Sequence, residues 1–226
     1  MTNTKEGQTI DINEKIDKAD HYIQENKKSL SIIGGAVVLV VGGYFAYTNF
    51  IVGPQEKEAS SKMFFAEQYF QKDSLNLALN GDGNNPGFLE IIDNYGSSQS
   101  ANLANYYAGI CYLKKGEYEN AIEYLSDYDA EDDVTGAIAL GGIGDANLEL
   151  GKKDDALKFY KKAYKWDDNQ FSAPIYMMKA AMVYEMNNDY KSASELYERI
   201  KKEYPASQTA NEVDKYIARA ASLMGN

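Results

Sequence analysis

Residues that supply enzymes with bases, nucleophiles and metal ligands are scarce in this sequence. Its 226 residues include one cysteine, Cys111, and one histidine, His21. A lone cysteine cannot form an intrachain disulfide or a cysteine-based zinc site. Because His21 precedes the apolar segment described below, the rest of the chain lacks the histidine that Ser–His and Cys–His catalysis need. We therefore expect no enzymatic activity, no catalytic residue, no metal, no cofactor and no small-molecule substrate.

Positive charge is also under-represented. The chain has 23 basic and 34 acidic side chains, a formal net charge of −11. Residues 56–226 alone carry 18 basic and 28 acidic side chains. An acidic surface repels phosphate groups, so we expect no nucleic acid as a partner. We also expect this region to stay off anionic lipid, apart from its tether.

Against this polar background stands one long stretch without charge, residues 30–52. Its 23 residues would form a helix of about 34 Å, enough to cross a hydrocarbon core of roughly 30 Å. A signal peptide usually has a shorter apolar run and a small-residue cleavage site, and a helix in a soluble core is rarely apolar on every side. We interpret residues 30–52 as a transmembrane helix, with a cleaved signal or a buried helix as the alternatives.

Lysines flank this segment unequally. Lys27 and Lys28 precede it directly, whereas Lys57 and Lys62 are the nearest basic residues after it. Because cytoplasmic flanks carry the excess of Lys and Arg, we expect the N-terminus in the cytoplasm and the region after the apolar segment on the other side of the membrane.

Residues 1–29, the predicted cytoplasmic segment, have an amphipathic pattern. Ile12, Ile16, Ala19 and Ile23 form a narrow apolar stripe at helical spacing. Such a stripe suits the headgroup surface of the membrane or a partner protein; alternatively, it begins the transmembrane helix.

Small residues recur at four-residue steps inside the apolar segment. Ser31 with Gly35, and Gly42 with Ala46, would let a second membrane helix approach closely. Glycine is also simply common in membrane helices, so this packing role is one of two interpretations.

Further along, the sequence is self-similar. Residues 103–125, 139–163 and 176–200 align, each with a small residue in its first half and another small residue twelve positions later. Small residues at such positions suit two helices that cross closely within one helix–turn–helix unit. They are Gly109, Gly144 and Ala181, followed by Ala121, Ala156 and Ala193.

The pattern resembles the tetratricopeptide repeat, in three copies over residues 102–205. This resemblance implies an all-α fold in which helix–turn–helix units stack into a solenoid. Residues 53–101 then form membrane-proximal helices, an atypical first repeat, and residues 206–226 form a capping helix.

The first helix of the middle copy is unusually rich in glycine. Gly136, Gly141, Gly142 and Gly144 fall within nine residues. Each costs about 0.5–1 kcal/mol of helix stability relative to Ala. Close packing against neighbouring helices and local pliability are both possible reasons for them.

In tetratricopeptide arrays the first helix of each repeat lines an inner groove, and the resemblance carries those positions over to this sequence. Most are apolar here, which argues against a clamp for a C-terminal carboxylate, and methionine favours varied apolar partners. Alternatively, these side chains face the core or lie beneath the C-terminal helix. The predicted protein-binding positions are Leu103, Tyr106, Ile110, Leu113, Ile138, Asp145, Leu148, Ile175, Met178, Met182 and Met186.

The order of parts resembles the bacterial ancillary SecYEG translocon subunit family. A cytoplasmic segment containing "QENKK", a glycine-rich span, an alanine-rich helix and tetratricopeptide repeats follow one another. The resemblance implies an inner-membrane protein with a periplasmic repeat domain that passes exported polypeptides to chaperones. Its partners would be translocon subunits, periplasmic chaperones or unfolded clients. The alternative is a scaffold of another envelope-assembly, division or secretion machine.

Overall fold

The computed structural model describes residues 12–130, 132–166 and 168–225. Over these residues every regular element is a helix, so the predicted all-α fold is confirmed. The chain divides into two units, residues 1–53 and residues 54–226, and each is described by itself.

The first unit contains one long helix, α1 (Ile12–Tyr47), and a π-helical turn, Thr48–Val52. α1 continues through residues 29 and 30, so the predicted cytoplasmic segment from residue 12 onward belongs to the same helix as the apolar run. A window of 18 residues in this region is long and apolar enough to cross a membrane, a criterion that a signal sequence also meets. Residues 1–11, and the side chain of Ile12 in the predicted stripe, lie outside the described residues.

The second unit is a succession of helices, and from residue 75 onward each helix packs against the next one along the chain. Two longer helices and a turn make up each of the three predicted repeats: α5 with α6, α7 with α8, and α9 with α10. The helices are α2 (Gly53–Gln71), α3 (Leu75–Asn80), α4 (Phe88–Tyr95), α5 (Gln99–Lys115), α6 (Tyr118–Asp127), α7 (Asp133–Glu149), α8 (Lys153–Trp166), α9 (Ser172–Met186), α10 (Tyr190–Glu203), α11 (Gln208–Glu212) and α12 (Asp214–Met224).

Helix ends in the second unit follow from local sequence. The Asp132 carboxylate accepts a hydrogen bond from the backbone N–H of Val134 at 2.9 Å, which caps the start of α7. Gly116 ends α5 and Gly151 follows α7, with φ of 77° and 74°. Glycine adopts this left-handed conformation without the steric cost that a Cβ brings, so the turns inside these two repeats are set by their glycines.

The glycines of α7 are sites of close packing. At each of them a side chain from another helix lies against the bare backbone, so close that a Cβ would meet it at 2.9 Å or less. This close packing explains why glycine occupies these four positions, and local flexibility of α7 is not needed as a reason. Gly136 meets Trp166, Gly141 meets Tyr176, Gly142 meets Leu125 and Gly144 meets Tyr160.

Two polar links hold α2 to the helices that follow it. The Glu56 carboxylate accepts hydrogen bonds from the backbone N–H of Ser100 at 3.0 Å and from its hydroxyl at 2.7 Å, at the start of α5. The Tyr95 hydroxyl donates to Glu58 at 2.9 Å and accepts from Lys62 at 2.6 Å. Together with an apolar core shared by α2, α3, α4 and α5, these links make α2 part of the solenoid.

Two features differ from the sequence-based expectation. The atypical first repeat contains a short helix, α3, that the sequence did not predict. The predicted single capping helix is also divided at Val213, whose carbonyl accepts hydrogen bonds from the N–H groups of both Tyr216 and Ile217, at 2.9 and 3.0 Å. Val213 keeps a helical backbone conformation, with φ of −70° and ψ of −24°, and is fully buried in the core of the last repeat.

Candidate protein-binding groove

None of the eleven predicted groove side chains is fully buried. Ile175 and Met186 are exposed, at 47% and 50% of their surface, and the other nine are half-buried. The structure distributes them over three first helices, α5, α7 and α9, which differ in how much of their surface is already used within the chain.

The predicted positions on α5 are largely engaged by neighbouring side chains. Tyr106 packs against Tyr107 and Tyr128, with ring centroids 5.5 and 5.3 Å apart. Burial raises the pKa of Tyr106 to about 12. Ile110 packs in a small core between α5, α6 and α7, and Leu103 packs against the core of the preceding helices. Little free apolar surface remains on this helix.

On α7, Asp145 joins three helices. Its carboxylate accepts a hydrogen bond from the Tyr160 hydroxyl of α8 at 2.7 Å, and both oxygens lie 2.7 Å from the Lys179 ammonium of α9. This ion pair is about one-third exposed on each side. Ile138 and Leu148, the other predicted positions on α7, are half-buried, and Leu148 packs against the core of the last repeat. The arrangement fixes α9 against α7 and α8.

The predicted positions on α9 form one wall of an open groove. Ile175, Met178 and Met182 line a cavity of about 520 Å³ whose opposite wall is built from α11 and α12. A second cavity of about 560 Å³ adjoins it, lined by Met182 and Met186. Tyr216 of α12 lines both cavities. We call the two cavities together the methionine groove.

The C-terminal helices therefore supply the far wall of the methionine groove and leave it open to solvent. Residues that the sequence argument missed include Phe171, 84% exposed at one end of the groove, as well as Tyr216 and Leu223 on α12. The sequence did contain a signal for Tyr216 and Leu223, because these residues and Arg219 recur at helical spacing on one face of α12.

Charges around the methionine groove are paired within the chain. Arg219 pairs with Glu185, Lys179 with Asp145, and Glu212 lies 3.5 Å from Lys215. The surface left between these pairs consists mainly of thioether, aliphatic and aromatic atoms. Such a surface accepts apolar side chains of varied shape.

In the first unit, the four small residues predicted for membrane-helix packing are all exposed along α1. A Cβ added at Gly35 or Gly42 would meet nothing within 4 Å. Over the described residues no other helix occupies this face, and its packing role stays a prediction.

Comparison with protein families tests the repeats directly. Models described as tetratricopeptide repeat match residues 88–134, 137–170 and 176–207. The chain is a tetratricopeptide repeat protein, and the matched repeats lie within residues 88–207 of the second unit. The predicted repeat architecture is thus confirmed, and with it the general role of a protein-interaction scaffold, a fold class that is typically non-enzymatic.

Solved structures agree on the fold of this tetratricopeptide repeat protein. The MamA protein is 18% identical, with a TM-score of 0.55, covering 74% of this chain and 88% of MamA. Kinesin light chain-like repeats from Podosopora anserina are 13% identical, with a TM-score of 0.56, covering 75% and 88%. No curated protein matches the sequence. At these identities the likeness concerns the fold of the repeats alone.

Proposed function

We propose that this protein is a membrane-anchored scaffold of the cell envelope whose methionine groove binds apolar segments of other polypeptides. The observation that carries the proposal is the open groove between α9 and α12, with Met178, Met182 and Met186 on one wall and Tyr216 on the other. A flexible thioether surface suits a scaffold that receives clients of differing sequence.

In this proposal α1 is the permanent anchor, with its N-terminus in the cytoplasm of a bacterium and residues 54–226 in the periplasm. The length and apolar character of the α1 region and the lysines before it support this topology. Protease added to spheroplasts is expected to degrade the repeats. Protection of the repeats, or a mature N-terminus beyond Tyr47, would contradict the anchor.

For the partner, we propose the SecYEG translocon beside α1 and, at the groove, an exported polypeptide on its way to a periplasmic chaperone. The order of cytoplasmic segment, apolar span and repeats supports this assignment by its resemblance to the ancillary translocon subunits. A scaffold for another envelope-assembly, division or secretion machine has the same parts, and the two proposals differ only in their partners.

Photo-crosslinking in intact cells separates these partners. A crosslinking amino acid at Met182 samples the groove, one at Leu39 samples the anchor, and one at Glu195, exposed on α10, serves as the control. We expect translocon subunits from Leu39 and exported clients or chaperones from Met182. Adducts dominated by division or secretion components would favour the alternative, and identical adducts from Met182 and Glu195 would remove the groove from the proposal.

Groove specificity is tested by adding charge. The Met178→Glu, Met182→Glu double variant places two carboxylates on the apolar wall and is expected to lose its soluble partners while keeping those of the anchor. Gln71→Glu with Gln99→Glu adds the same charge at exposed sites outside the groove and should bind normally. Equal loss in both variants would show a general effect of charge.

A further inference from the structure

The outer face of α8 concentrates positive charge on an otherwise acidic unit. Six of the 18 basic residues in residues 56–226 fall within residues 152–165. Four of them, Lys158, Lys161, Lys162 and Lys165, recur at spacings of three and four, so they share one side of the helix. They form no ion pair with a carboxylate among the described residues.

Trp166, the one tryptophan of the chain, lies at the end of this face. One edge of its indole packs on Gly136, and 46% of the residue is exposed. Trp166, Leu140 and three of the lysines line a shallow cavity of about 470 Å³. We call Lys158, Lys161, Lys162, Lys165 and Trp166 together the lysine–tryptophan face.

We propose that the lysine–tryptophan face binds the anionic headgroups of a lipid bilayer and brings Trp166 into its interface. Lysine ammonium groups attract the phosphates of such headgroups, and tryptophan prefers the boundary between headgroups and acyl chains. Lys161, Lys162 and Lys165 line the shallow cavity together with Leu140 and Trp166, so apolar atoms and ammonium groups occur side by side, as they do at the same boundary. The Lys161 ammonium lies 4.9 Å from the centroid of the Tyr184 ring.

The charge around the lysine–tryptophan face and the proposed membrane anchor both bear on whether its partner is a lipid bilayer or an acidic protein. At physiological salt a charge is screened beyond about 8 Å, so a surface in contact with α8 responds to the lysines more than to carboxylates elsewhere on the unit. Asp129, which lines an adjoining cavity with Lys162 and Trp166, is a nearby opposing charge. The carboxylates of an acidic protein would also attract the lysine ammonium groups. The indole among them and the membrane anchor proposed above, on which this step rests, favour lipid.

The single tryptophan provides the test. The full chain is reconstituted into nanodiscs whose lipids carry brominated acyl chains, which quench indole fluorescence on contact. In discs rich in phosphatidylglycerol we expect about half of the Trp166 emission to be lost, with little loss in phosphatidylcholine discs or at high salt. Unquenched Trp166 in the anionic discs overturns the proposal and leaves this face to an acidic protein.

Matched variants assign the effect to the lysines. Lys161→Gln, Lys162→Gln and Lys165→Gln together should restore the emission. Lys72→Gln, Lys191→Gln and Lys202→Gln, at exposed positions in the turn after α2 and on α10, should leave the quenching intact. Equal loss of quenching in both triple variants overturns the proposal. Circular dichroism checks that each variant is folded.

A further measurement distinguishes an error in the proposed membrane anchor from an error in the proposed lipid-binding face. A chain without a membrane anchor would not co-elute with the phosphatidylcholine discs, whose headgroups carry no net charge. In that case the detergent-free chain is mixed with brominated phosphatidylglycerol vesicles and the same quenching is measured. Quenching that depends on the three lysines still supports the face, and its absence overturns it.

Discussion

The first helices of the middle and last repeats, α7 and α9, occupy equivalent places in the solenoid and use their surfaces in opposite ways. α7 is covered: rings of Trp166, Tyr176 and Tyr160 lie on its glycines. α9 buries alanines toward the core and leaves Ile175 and its methionines facing an open groove. The contrast shows that equivalent helices of one solenoid differ in what covers them: neighbouring side chains cover α7, and α9 keeps the open apolar surface that we propose for binding.

The largest expected effect comes from filling the space over α7. In Gly141→Ala the new methyl group would lie 2.0 Å from Cε1 of Tyr176, so the ring must move. We expect the free energy of unfolding to fall by about 1–3 kcal/mol in chemical denaturation, although alanine favours helix. Gly96→Ala, where the nearest atom is 3.4 Å away, is the control and should be neutral or slightly stabilising. Equal stability of the two variants would refute close packing as the reason for the α7 glycine.

A smaller effect is expected from two tyrosines at matching positions of the two repeats. Tyr160 donates to Asp145 at 2.7 Å, whereas the buried Tyr197 hydroxyl has no hydrogen-bond partner among the described residues. Tyr160→Phe should cost about 1–2 kcal/mol at pH 7, and Tyr197→Phe close to zero. Denaturation of both variants measures the difference, and similar costs would contradict it.

Alkaline pH extends the comparison. Burial raises the pKa of Tyr197 to about 12, above the ordinary value of about 10. A folded-state pKa above the unfolded one means that the stabilisation is complete below pH 10 and is lost as the pH rises through 12. Tyr197→Phe should therefore lose less stability between pH 10 and 12 than the unaltered chain. Parallel losses would show that Tyr197 ionises freely.

The smallest effect on stability is expected from the groove itself. Met178 and Met182 are half-buried and face solvent across the cavity, so Met178→Glu with Met182→Glu should change the free energy of unfolding by about 1 kcal/mol or less. Thermal unfolding of the double variant beside Gly141→Ala measures this. A loss as large as that of Gly141→Ala would place the methionines in the core and remove the contrast between α7 and α9.

The sequence predicted the repeats because their information is local. Small residues twelve positions apart, and apolar periodicity, mark two helices that cross within one unit. The side chains that pack on the α7 glycines are harder to predict, because some come from a different repeat. Tyr176, for example, packs on Gly141 from the next repeat, and the spacing of residues in the sequence does not identify it. One regularity was available, since Leu125 and Tyr160 follow Gly109 and Gly144 by sixteen residues and pack on them.

The groove was harder to predict, because its second wall comes from a different part of the chain. The methionine stripe of α9 is visible in the sequence, but whether α12 covers it or faces it depends on how α11 and α12 pack against the last repeat. Positions on α5 and α7 carry the same pattern as those on α9, yet neighbouring side chains already occupy most of their surface.

The hydrogen bonds between Glu56 and Ser100 have a mechanical consequence. Because the Glu56 carboxylate is hydrogen-bonded to Ser100 at the start of α5, tension applied to the polypeptide at Pro54 acts on both α2 and α5. Separating α2 from the array would require breaking both of its hydrogen bonds to Ser100 together with the Tyr95 links. A load delivered from the N-terminal side therefore reaches α5 as well as α2.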